Sequence, residues 1–207
     1  MRLLRLALFT RPEHALSWCS GSTAQPGHLT MIESCYWKEE LARIANTIRV
    51  SKRPTRWTER AHCVVERDLM IGFFMVRRLI ELHKVSSSTR DMSMSVFSCP
   101  SRGKPIHFMN AHHIDEVYDL GKERAQVKKP LYVSNQFIHA YTSYVIRDKS
   151  RNWSAVYIVS DYDRKTCIWR IPISEVRRLF CVAAGDDMRE MRFLYNEQKG
   201  DYDVHPS

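Results

Sequence analysis

No pair of the six cysteines is closer than 14 residues, and the C-x-x-C spacing of zinc sites and redox motifs is absent. Cys19, Cys35, Cys63, Cys99, Cys167 and Cys181 therefore read as free thiols in a reducing compartment, and a cytoplasmic location is expected. Cys63, Cys167 and Cys181 lie within apolar runs, where cysteine acts as a small hydrophobe. Glycine and proline are sparse, at 7 and 8 residues, which excludes collagen-like and linker-like chains. The longest apolar run, Leu69–Val76, is eight residues between Asp68 and Arg77, far short of a membrane span. Glycine fingerprints are missing too: there is no G-x-S-x-G, no G-x-x-x-x-G-K and no G-x-G-x-x-G. Serine-hydrolase elbows, P-loops and dinucleotide folds lose their sequence basis, and no cofactor is expected.

What is present suits one globular domain. A 207-residue chain buries roughly 70% of the surface its unfolded form exposes, enough for an unstapled core. At 44% hydrophobic and 27% charged, the composition is neither disordered nor fibrous. The formal charge of +9 is uneven: residues 31–90 hold 12 basic and 7 acidic side chains, whereas residues 151–207 hold nine of each. Such a field steers polyanions or an acidic protein toward the helical end without specifying either.

Residues 1–30 begin with basic and apolar residues, but the stretch Leu6–Phe9 is too short for a signal-peptide core. They are expected to be a disordered extension, or translated sequence upstream of a true start at Met31. Residues 31–207 are then expected to form a single α+β domain: an N-terminal helical hairpin with a long central helix, packed against a mainly antiparallel C-terminal sheet with short helices.

The first helix is expected from an N-cap at Ser34 to about Val50, with Trp37, Leu41, Ile44 and Ile48 as its apolar stripe. Thr58 caps a second, running to about Val85. Val64, Ile71, Met75, Leu79 and Leu82 form one of its stripes, and Val65, Leu69, Phe73, Val76 and Ile80 another. A rod apolar nearly all round must be covered on several sides, and Gly72 at its middle suits the close approach of a neighbour. Met94–Cys99 and Pro105–Met109 read as strands, residues 110–129 as ambiguous with a helical turn, and Leu131–Ile146 as a third helix. Trp153–Ser160 and Thr166–Ile171 read as a hairpin, then a short helix capped by Ser174 and ending at Gly185. Met191–Tyr195 and Tyr202–Val204 read as a second hairpin.

Three groups of residues carry candidate chemistry. His107, His112, His113 and Asp115, joined by His139, supply imidazoles and a carboxylate of the kind a divalent metal takes, and would suit a metal-dependent hydrolase. Adjacent His112 and His113 would point to opposite faces of a strand. Asn135 and His139 fall at i and i+4 on the expected third helix, where a buried imidazole would have the widest scope for a shifted pKa. Arg49, Lys52, Arg53, Arg56 and Arg60 bracket Trp57, a basic and aromatic set suited to single-stranded nucleic acid.

Arg78 and His83 form an R-x4-H spacing near the end of the long helix. That spacing resembles the one in HEPN-type ribonucleases. The resemblance implies a metal-independent ribonuclease in which Arg78 and His83 act on an RNA phosphate. Leu79 stands where that family has Asn, and HEPN domains are helical throughout. The same cations also compensate a helix C-terminus. With no catalytic constellation of known type, the leading expectation is a non-enzymatic interaction module, binding a protein partner or nucleic acid through a basic helical side.

Overall fold

In the computed structural model, residues 34–49, 58–187 and 191–206 are described, and they belong to the unit Glu33–Ser207. The expectations for residues 1–30 and for the connector positions 50–57 lie outside the described residues.

Helix α1 (Cys35–Thr47) follows Ser34, which stands at the N-cap without a side-chain cap bond. Leu41, Ile44, Ala45 and, just past its end, Ile48 are buried, the spacing of one helical stripe. Helix α2 (Glu59–Glu81) starts as its sequence dictates: the Thr58 hydroxyl accepts the Ala61 N–H at 3.1 Å. It runs unbroken through Gly72 and buries Val65, Leu69, Phe73, Met75, Val76, Leu79 and Ile80. Ile71, expected inside, is outside.

The helix also ends four residues before the expected Val85. His83 takes a left-handed backbone, φ 52°, and reverses the chain. Its N–H bonds the Ile80 carbonyl at 3.1 Å, and the Lys84 N–H bonds the Leu79 carbonyl at 2.7 Å, the paired bonds of a Schellman stop. A four-residue turn of helix, α3 (Ser87–Arg90), leads into the sheet.

The sheet has five antiparallel strands: β1 (Met94–Pro100), β2 (Arg124–Lys128), β3 (Ala140–Arg147), β4 (Trp153–Ser160) and β5 (Cys167–Pro172), in the order β2-β1-β5-β4-β3. The β4–β5 hairpin is as expected. Pro105–Met109 is not a strand. Pro105 has no N–H for a ladder, and Asn110 closes the segment into a turn by accepting from the His107 N–H (2.8 Å) and donating to the Pro105 carbonyl (3.0 Å). The expected helix Leu131–Ile146 is two elements, α5 (Pro130–Ile138) and β3. The break is at His139, whose carbonyl accepts the Asp161 N–H (3.0 Å). Beyond it the β-branched and aromatic residues 141–146 find strand partners on β4.

Between β1 and β2, residues 101–123 carry the four-residue turn α4 (Ile114–Val117). Helix α6 (Ile173–Ala184) buries Val176, Leu179, Phe180 and Ala183, and β6 (Met191–Asn196) and β7 (Asp201–Pro206) form the final hairpin.

Strand alternation divides the core between the two faces of the sheet. On one face Val96, Trp169 and Ile171 look toward the helices, where α5 and α6 lie on the strands, α2 packs on α5 and reaches β3, and α1 packs on α6 and, less extensively, on α2. On the other, Cys99, Tyr157, Val159 and Ile168 are covered by Ile106, Val117 and Tyr118 of the 101–123 segment. The result is an α+β fold with a mainly antiparallel sheet. No helix among the described residues is long and apolar enough to cross a membrane.

Candidate interaction surface

The outward row of α2 reads Arg60, Cys63, Arg67, Ile71, Phe74 and Arg78, each three or four residues from the last and therefore on one face. Two of its members are large hydrophobes in solvent, Ile71 at 43% exposure and Phe74 at 48%. The Phe74 ring meets the Trp37 ring of α1 at 6.1 Å, and the next residue, Tyr36, is 67% exposed. Ile71 and Phe74, with Trp37 beside them, make an aromatic and aliphatic face on the outside of the α1–α2 pair, with arginines at both ends of the α2 row.

A buried carboxylate holds one of those arginines. Asp68 is 1% exposed, at the edge of the apolar run Leu69–Val76, and its Oδ1 accepts from Arg67 Nη2 (2.7 Å) and Nε (3.1 Å). Arg43 of α1 approaches Oδ2 at 3.9 Å and is itself gripped by Glu40, at 2.6 and 2.7 Å. That grip keeps the Glu40 carboxyl below its ordinary value, against the opposing effect of burial. Arg67 is thereby fixed one turn from Ile71, a preorganised edge to the apolar face. Sequence patterning assigned Ile71 to the buried stripe and gave Asp68 no role. An acid beside Arg67 at the start of the apolar run was the available signal.

The basic character of this side is weaker than the segment charges implied. Helices α1 and α2 carry six basic and six acidic residues between them, so the excess sits in their connectors. Arg49 and Arg60 are exposed at the two ends of the first connector. Lys52, Arg53, Arg56 and Trp57 lie outside the described residues.

The other candidate residues are dispersed. Arg78 donates to Glu81 at 3.0 Å and Arg77 to the same carboxylate at 2.6 Å, which draws the Glu81 carboxyl below its usual value, with the Arg77 bond the larger cause. His83 sits beyond them on the left-handed turn, and the chain around them is not the all-helical fold of HEPN domains. His139 caps the end of α5 in an exposed position rather than a buried one, because the helix stops there. Among the described residues the buried Asn135 Oδ1 has no hydrogen-bond partner, and the Asn135 carbonyl accepts the His139 N–H at 3.1 Å. His107, His112, His113 and Asp115 are all exposed on the 101–123 segment. The His112 and His113 rings lie 4.0 Å apart instead of on opposite faces, because the segment turns where a strand was expected. Among the described residues no three His, Cys, Asp or Glu side chains gather as a metal would require.

One polar cluster went unforeseen. On the sheet face away from the helices, Glu123 takes a bidentate bond from Arg170 (2.6 and 2.8 Å), a bond from the Tyr157 hydroxyl (3.3 Å) and a long contact from the Cys99 thiol (3.9 Å). Burial, reinforced by the Glu123 charge, pushes the Cys99 thiol up to about 11 and the Tyr157 hydroxyl up to about 12. A thiol held protonated is a poor nucleophile, so the cluster ties β1, β4 and β5 to the 101–123 segment rather than equipping it for chemistry.

No protein-family model, no curated protein and no solved structure matches this chain.

Proposed function

We propose that the chain is a non-enzymatic interaction module that binds a partner protein through the outer face of the α1–α2 pair. The observation that carries this reading is the exposure of Ile71 and Phe74 on one face of α2, beside Arg67 held by buried Asp68, with Tyr36 exposed on α1. Aromatic residues and arginine are the types that dominate protein interfaces, and a fixed arginine loses little freedom on binding. The complementary surface on the partner is apolar at its centre and acidic where it meets Arg60, Arg67 and Arg78. The connector cations Arg49, Lys52, Arg53 and Arg56 add long-range attraction for the same acidic partner. A protein fits this centre better than nucleic acid does, because Ile71 offers a phosphate chain nothing.

A photo-crosslinking residue placed at position 74 in the full chain, compared with one at the more exposed Tyr162, tests the reading. A single protein attached at 74 and not at 162, identified by mass and then binding the purified chain, is the expected result. Adducts with nucleic acid, or the same adducts at both positions, would overturn it. Attachment to a second copy of this chain would make the face a self-association surface and would also contradict it.

A further inference from the structure

Tyr132 on α5 and Trp169 on β5 stand at 82° to one another with ring centroids 5.5 Å apart, forming two walls of a corner. Both rings are tied at their polar edges to one carboxylate. Asp163 Oδ2 accepts from the Tyr132 hydroxyl and from Trp169 Nε1, each at 3.0 Å, and from Gln136 Nε2 at 2.9 Å. Donation to an anion enriches both π systems, which strengthens their attraction for a cation on the ring faces. A cation is already there. Lys128, the last residue of the edge strand β2, places its ammonium 4.6 Å from the Tyr132 centroid and 5.0 Å from that of Trp169. Val96, Val133, Gln136 and Ile171 complete the lining, and the cleft as closed by Lys128 has no room for a water molecule.

The corner offers the ammonium ring faces, and the unpartnered acceptor in its lining, the buried Gln136 Oε1, makes no hydrogen bond to it. Among the described residues the Lys128 ammonium has no carboxylate, carbonyl or hydroxyl partner, so its three N–H groups gain nothing there that they had in water. A cation without N–H groups would forfeit nothing. We propose that the Tyr132–Trp169 corner is a binding site for a trimethylammonium group, occupied in this structure by Lys128 as a displaceable plug. Lysine suits that role: its stem is long, its strand is at the sheet edge, and its head is easily rehydrated on leaving.

The test follows the Trp169 indole N–H resonance of the full chain, assigned with Trp169→Phe, during titration with tetramethylammonium chloride against sodium chloride. The wild-type resonance is expected to move and saturate with tetramethylammonium only. Lys128→Ala is expected to bind about tenfold more tightly, the worth of two cation–π contacts. Tyr132→Leu in the Lys128→Ala background is expected to abolish saturation. Should Lys128→Ala not fold, Lys128→Met keeps the apolar stem without the charge. Parallel titrations with choline and with a trimethyllysine peptide separate a small-molecule source from a modified protein tail. Equal, unsaturating shifts with both salts in a folded variant lacking Lys128 would overturn the proposal, as would undiminished binding after Tyr132→Leu.

Discussion

An alanine at position 72 would place its Cβ 2.4 Å from Cζ and 2.5 Å from Cε2 of Phe180. Gly72 is the point where α6 comes down onto α2, and the ring cannot step aside. Phe180 is fully buried and meets Phe73 edge-on at 5.1 Å, and Phe73 stacks on Phe137 of α5 at 3.9 Å. Three helices share this aromatic column. Gly72→Ala gains about 1 kcal/mol in helix propensity, yet overpacking typically costs about 1–3 kcal/mol. A net loss of up to about 2 kcal/mol in urea denaturation is expected. Gly72→Ala with Phe180→Leu should recover part of it, since neighbouring sites are not additive.

The stop of α2 rests on a histidine in a conformation that glycine adopts freely. A side chain with a branched β-carbon is worse there than histidine. His83→Val is expected to lower the thermal midpoint by the equivalent of about 1–2 kcal/mol, whereas His83→Gly should hold or raise it.

Asp163 ties α5 and β5 to the β4–β5 turn through one oxygen, and three donors would be stranded without it. Asp163→Ala is expected to cost about 3 kcal/mol in urea unfolding, with a red shift of Trp169 emission as its N–H seeks water. A loss below about 1 kcal/mol would mean that these donors are readily met by solvent.

Thiol reactivity should follow burial. Cys63 and Cys181 are exposed, while Cys99 is buried and its thiol is pushed up to about 11. Iodoacetamide at pH 8 followed by peptide mass analysis should find the first two alkylated well before Cys99. Rapid labelling of Cys99 in the folded chain would contradict the Glu123 cluster.

Acid should loosen the joint between α6 and β1. Glu175 accepts from Arg178 and from the Ser95 N–H at 2.9 Å, and these bonds, that from Arg178 foremost, hold its carboxyl below 4.5. A carboxylate with a depressed folded pKa adds stability that is complete above its unfolded value of 4.5 and is lost as pH falls through the folded value. The urea midpoint should therefore fall as pH drops below 4.5, and less steeply in Glu175→Gln.

Most of the fold is legible from periodicity and capping residues. Thr58, Gly72, the β4–β5 and β6–β7 hairpins and the inward face of α6 all follow from local rules. The misreadings share a cause. At Leu131–Ile146 and Pro105–Met109 short apolar runs fit two periods equally well, and partners remote in sequence, β4 for one and the Asn110 turn for the other, decided between them. The outer face was harder still. Ile71 sits in an apolar run that helical periodicity assigns inward, and only the placement of α5, α1 and α6 determines which side of α2 stays open. The Tyr132–Asp163–Trp169 corner joins residues from three elements, a juxtaposition that no spacing in the sequence encodes.

The most direct measurement is a calorimetric titration of the partner recovered at position 74 into wild-type chain, Phe74→Asp and Tyr162→Asp. If the α1–α2 face carries recognition, Phe74→Asp weakens binding at least tenfold, about 1.4 kcal/mol, while remaining folded, and Tyr162→Asp binds like wild type. Equal affinity for all three proteins would place recognition elsewhere on the molecule and contradict the reading.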